Sequence, residues 1–143
     1  MLILALLLVA QTPDTGVTLP WQQHVAYDIT AALDEPRGVL GGTEQVVYQN
    51  RSPDTLTTVS FHLFLNAFRP GSRWADADST EGRRRFNDLK DPDYGFNHVS
   101  DVTVDGAAVT PIYPLAPDST IVRFGLPHAL APGASMTIAM KWD

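Results

Sequence analysis

Apolar and polar residues alternate along much of this chain, and a period of two marks a strand that turns one face to a core. From His24 to Leu33, Val25, Tyr27, Ile29 and Leu33 fall on one side, with His24, Asp28 and Thr30 on the other. Asp34-Glu35-Pro36-Arg37-Gly38 then reads as a turn, because Pro fixes φ and Gly accepts the strained position. A second strand over Val39–Asn50 puts Glu44, Val46 and Tyr48 on one face and Thr43, Gln45 and Val47 on the other. Gly41-Gly42 near its start implies a bulge or a close backbone approach. After the turn Ser52-Pro53-Asp54-Thr55, a third strand is expected over Leu56–Leu65, with Val59, Phe61, Leu63 and Leu65 inward. Short turns between three such strands predict an antiparallel meander.

The alternation stops between residues 66 and 97, where charges crowd together around Arg83, Arg84 and Arg85. Loops longer than about 12–15 residues are usually functional or disordered. A short helix over Ala75–Asn87, anchored by Trp74 and Phe86, is one reading of this stretch, and an irregular loop is the other. Strand patterning returns with Val99, Val102 and Val104, the hairpin signal Asp105-Gly106, and Ala107–Tyr113. It continues over Thr120–Leu126 and, after Leu130-Ala131-Pro132-Gly133, over Ser135–Trp142. Seven short strands punctuated by turns predict an all-β, antiparallel β-sandwich with one long loop.

The first ten residues, MLILALLLVA, are apolar, but a membrane span needs about 20 such residues. Their length matches the core of a secretory signal, and a polar lead-in follows over residues 11–23. The expectation is an exported protein, periplasmic or extracellular, with no membrane span and with its sandwich domain over residues 24–143. The last strand runs to the final residues Trp142 and Asp143, so a fragment of a longer polypeptide is expected.

Composition removes several functions. With no cysteine among 143 residues there is no disulfide framework, thiolate metal site or thiol nucleophile. Ten Lys and Arg against sixteen Asp and Glu leave a net charge of −6, which argues against a nucleic-acid partner. The four histidines, His24, His62, His98 and His128, are too far apart in sequence for the H-E-x-x-H zinc helix. Asp76-Ala77-Asp78-Ser79-Thr80-Glu81-Gly82 opens like a calcium loop, but Glu81 and Asn87 stand where Gly and Glu are required. No nucleophile elbow and no phosphate-binding glycine loop is present. Asn50-Arg51-Ser52 matches a glycosylation triplet, with Pro53 directly after it. The arginine run reads as a solvated loop or as partner to Asp76, Asp78 and Glu81. No catalytic or metal-ligating residue is assigned.

One set of segments is similar to a known family. Tyr27-Asp28-Ile29, Leu33-Asp34, Leu40-Gly41-Gly42-Thr43-Glu44, Tyr48-Gln49-Asn50 and Ser52-Pro53-Asp54-Thr55-Leu56 belong to it. So do Phe61-His62-Leu63-Phe64-Leu65-Asn66-Ala67-Phe68-Arg69, Val102-Thr103-Val104-Asp105-Gly106 and Leu130-Ala131-Pro132-Gly133-Ala134-Ser135. Together they resemble the N-terminal domain of the membrane alanyl aminopeptidases, the gluzincin zinc metallopeptidases, in their bacterial exported branch. The resemblance implies a saddle-shaped β-sandwich that precedes a thermolysin-like catalytic domain. There zinc would activate water for attack on a peptide carbonyl, with Glu as general base. The family's Gly-x-Met-x-Asn and H-E-x-x-H motifs are not in this chain, so its zinc and peptide substrate belong to sequence elsewhere. The implied partner is the catalytic domain of the same polypeptide. The interface candidates are His62, Phe64, Asn66, Phe68, Arg83, Arg84 and Phe86. The rival expectation is a stand-alone exported sandwich that binds carbohydrate or protein. On the first reading, the purified chain supplied with zinc hydrolyses no aminoacyl amide substrate. Zinc-dependent turnover in a chromogenic aminopeptidase assay would overturn the placement of the chemistry in another domain.

Overall fold

The computed structural model describes residues 21–143, so the expected signal segment and most of the lead-in lie outside the described residues. Seven strands form as the alternation predicts: β1 (His24–Asp34), β2 (Val39–Gln49), β3 (Leu56–His62), β4 (Val99–Val104), β5 (Ala107–Ala108), β6 (Ile121–Leu130) and β7 (Ser135–Trp142). One helix, α1 (Arg73–Thr80), and two 3-10 turns, Glu35–Arg37 and Phe64–Phe68, complete the described residues. The strands make a five-stranded main sheet in the order β1-β2-β7-β4-β5 and a two-stranded cover sheet, β3-β6. Every strand pairing is antiparallel, giving an all-β, sandwich-like fold with one short helix. No helix among the described residues is long and apolar enough to cross a membrane.

The expected three-strand meander is not what forms. β1 and β2 pair without a bulge from His24↔Gln49 to Asp34↔Val39, but β2 takes β7 as its second neighbour and β3 joins β6 in the other sheet. The buried side chain of Asn50 directs this change. Its amide donates to the carbonyls of Asp54 (2.7 Å) and Leu130 (3.1 Å), and its oxygen accepts from the Ser52 backbone N–H (3.0 Å) and hydroxyl (2.7 Å). Main-chain bonds from Asn50 to Ala134 and from Gly133 to Asn50 tie the same point to the β6–β7 turn. The chain is thus folded out of the main sheet where a simple hairpin would have kept it in. The glycosylation triplet is this knot, and its asparagine is fully buried.

The core lies between the sheets. Val46, Met136, Ile138 and Met140 of the main sheet, with Val99, Val102 and Val104, close over Val122, Phe124 and Leu63. Complete burial of a side chain such as Phe124 or Ile138 stabilises the fold by about 1.5–3 kcal/mol. Two irregularities keep the faces in phase. Asp101 takes φ 50° where the β4–β7 register shifts, so Val99 and Val102 both face inward despite their three-residue spacing. In β6 the register with β3 jumps from Gly125 to Leu130, across Pro127, which has no N–H for the ladder.

Three sequence expectations shift. The third strand ends at His62 rather than Leu65, because Phe64–Phe68 winds into a 3-10 turn held by Asn66. The helix covers Arg73–Thr80 rather than Ala75–Asn87, and Ser72 caps it by accepting from the Ala75 N–H at 3.0 Å. Its Trp74 is exposed and anchors nothing in the core. Ala107–Tyr113 pairs in the main sheet only at Ala107–Ala108, then crosses to the cover sheet, where Ile112 bridges Arg123. The Asp105-Gly106 turn forms as expected, with both residues at positive φ.

Gly42 is where a close approach excludes any side chain. A Cβ there would lie 2.8 Å from Cζ2 of Trp142 and collide with the Thr30 carbonyl. Gly42→Ala is therefore expected to lower unfolding stability by about 1–3 kcal/mol. Gly125→Ala, where nothing lies within 4 Å, is expected to be neutral or to add up to about 1 kcal/mol. Urea denaturation of the two variants checks the contrast.

Candidate functional site

The seven interface candidates separate into distinct environments. His62 and Phe64 stack at 5.2 Å with their planes 9° apart, and Phe64 is 75% exposed. Phe68 meets Phe86 in a tilted pair at 5.6 Å, leaving one side of Phe68 open. Asn66 is a different case. It is 1% exposed, donates to the carbonyls of Asn97 (3.1 Å) and Ser119 (3.0 Å), and accepts from the Asn97 N–H (2.6 Å). Both its amide protons and its oxygen are used to pin two loops, which makes it a structural tie within the chain.

The arginine run is also committed internally. Arg83 and Arg85 converge on Asp78 of α1, whose side chain is buried, and Arg83 also bonds Glu81. Arg84 grips Asp88 at 2.8 and 3.0 Å. The reading of these arginines as partners of Asp78 and Glu81 describes the geometry; Asp76 instead receives the amide of Asn87 at 3.1 Å. The hydrogen bond from Arg85, helped by Arg83 and the Arg85 backbone N–H against the opposing effect of burial, lowers the Asp78 pKa to about 2. A carboxylate whose folded pKa lies below its unfolded value of 3.8 contributes stability above that value and loses it as pH falls through the folded one. Asp78→Asn is therefore expected to weaken the protein at neutral pH and to flatten its stability profile between about pH 4 and pH 2. Chemical denaturation across that range checks this.

What the sequence did not reveal is an uncovered half of the main sheet. Register places Val25, Tyr27, Ile29, Ala31 and Leu33 of β1 opposite Tyr48, Val46, Glu44, Gly42 and Leu40 of β2, all on the inner face. Val46 is fully buried, but Tyr27 is 58% exposed, Ile29 53%, Leu33 61% and Leu40 52%. This apolar surface continues into a groove of about 580 Å³ bounded by Leu40, Leu65, Tyr94, Phe96 and Trp142. Arg69 stiffens its wall, with its guanidinium 4.8 Å from the Phe96 ring centre and 5.7 Å from that of Tyr94.

Asn97 and Trp142 also border a second cavity of about 330 Å³, lined further by Tyr27, Glu44, Phe61, His62, Leu63, Val99 and Met140. Glu44 sits in it between Ile29 on β1 and Met140 on β7. Burial pushes its carboxyl above the ordinary glutamate value. The Trp142 indole N–H is buried and makes no hydrogen bond among the described residues. The alternation had already put Glu44 on the face of Val46 and Tyr48, and that misplaced charge was the available signal. Among the described residues, no three His, Asp or Glu side chains gather into a metal-binding group. A scan against protein-family models and searches of curated proteins and solved structures return no match to this chain.

Proposed function

We propose that the chain is a non-catalytic N-terminal β-sandwich domain of an exported zinc metallopeptidase of the aminopeptidase type. It packs on the catalytic domain of the same polypeptide and walls one side of the substrate cleft. The family resemblance in the segments from Tyr27 to Ser135 motivates the reading, and one observation carries it. The inner face of β1 and the first half of β2 is an apolar surface with Tyr27, Ile29, Leu33 and Leu40 open to solvent. Large exposed apolar surface on a sheet marks sites of interaction with another polypeptide, a membrane or a ligand. The strand is eleven residues long, has no proline and pairs with β2 without a bulge, and its mid-strand charge, Asp28, falls on the other face.

On this reading the N-terminal apolar run directs export, and zinc and the general base belong to the catalytic domain. This chain's own work is to bury Tyr27, Ile29, Leu33 and Leu40 and to shape the cleft. Phe64, stacked on His62 beside the same opening, extends the contact. The reading frame after Asp143 tests the proposal. It is expected to continue and to reach H-E-x-x-H after about 150–200 residues, one further domain on. Hydrogen exchange on the longer chain should then show Tyr27, Ile29, Leu33 and Leu40 protected relative to the 143-residue chain. A stop codon directly after Asp143, with the same four residues exposed in the native protein, would favour the stand-alone binding module instead.

A further inference from the structure

The 330 Å³ cavity has a composition that an apolar interface does not require. Its walls are the aromatic side chains of Tyr27, Phe61, His62 and Trp142, with Leu63, Val99 and Met140. Glu44 is the carboxylate among them, and no lysine or arginine lines the space. Across the sheet its neighbours are Ile29 and Met140, and along its strand on the same face they are Gly42 and Val46. No described residue forms an ion pair with it. The nearest cation in sequence register, Lys141, is held by Asp101 at 2.8 Å. An acid in such a place is a liability for a purely apolar contact, since a covered carboxylate without a partner is costly. It becomes favourable when the covering surface brings a positive charge, and aromatic walls add attraction for that charge.

We propose that this cavity receives a lysine or arginine side chain from the polypeptide that packs on the open half of the sheet, its stem against the aromatic walls and its charge on Glu44. The proposal rests on the docking reading above and specifies what the docking surface must carry. Long cationic side chains bury their methylene stems on apolar surface while their heads seek an acid, which matches a carboxylate set among Ile29, Met140 and aromatic rings. Glu44 and His62 are the titratable groups facing the charge from the two sheets, with the Tyr27 phenol beside them.

The test uses the 143-residue chain and small probes of the same shape: n-butylammonium for lysine, n-butylguanidinium for arginine and 1-butanol as the uncharged control. Binding is followed by NMR shifts of Tyr27, Glu44 and Trp142. At least one cation is expected to bind about tenfold more tightly than butanol, the scale of one charge-assisted contact with an aromatic wall. Glu44→Gln, which keeps shape and removes charge, should bring that ratio to within about twofold. Tyr27→Leu should reduce it as well, giving a second variant that does not alter the acid. Asp28→Asn, on the opposite face of the same sheet, should leave the ratio unchanged and controls for net charge. Equal binding of cations and butanol would overturn the proposal. So would a preference that survives Glu44→Gln, or one that Asp28→Asn lowers as much. These outcomes are separable from failure of the docking reading, which is read in the longer chain as exposure of Leu33 and Leu40, away from this cavity.

Discussion

Two strands cannot cover five. Neighbouring strands lie about 4.8 Å apart, so the main sheet spans roughly 19 Å between its edge strands while the cover sheet spans about 5 Å. The cover closes over the end of β2 and over β7 and β4, where Val46, Ile138 and Val104 are lost to solvent. It leaves β1 and the first half of β2 with their apolar side chains in water. The aromatic groove, the open edge and the position of Glu44 all follow from this mismatch in width.

With no disulfide available, buried polar side chains fix the route of the chain. Asn50 ties the end of β2 to the β6–β7 turn, and Asn66 ties the 3-10 turn to Asn97 and Ser119. Asp118 accepts from the backbone N–H groups of Arg73 and Thr120, seating the start of α1. Asp78 gathers Arg83 and Arg85 at its other end. Each is nearly completely buried, and each satisfies main-chain groups or charges that would otherwise be costly to enclose. The long charged segment is ordered this way rather than through an extensive apolar core of its own.

The open half of the sheet differs from these ties because its polar groups lack internal partners. Glu44 faces a cavity rather than a cation, and the Trp142 indole N–H is enclosed without an acceptor among the described residues. Gly42 leaves room for the Trp142 ring to approach the strand closely, so that end of the groove is bounded by an aromatic side chain. A surface both apolar and incompletely satisfied is suited to being completed by another polypeptide segment, and this links the docking proposal to the particular chemistry expected at Glu44.

Period-two alternation, with proline and glycine at the turns, was enough to place seven strands, since those signals depend only on neighbours along the chain. It also put Tyr27, Ile29 and Leu33 on one face and Glu44 with Val46 and Tyr48, which the register bears out. Alternation says which side chains share a face but not whether anything covers that face. Coverage depends on which strands pair, and that was settled by contacts distant in sequence, above all Asn50 to Leu130 and β2 to β7. For the same reason Leu63 is buried while Leu65, equivalent by pattern, is exposed once Asn66 turns the chain. Local sequence determined the strands and their faces; only the tertiary structure decided which of those faces stays open, because burial is a property of neighbours brought together in space.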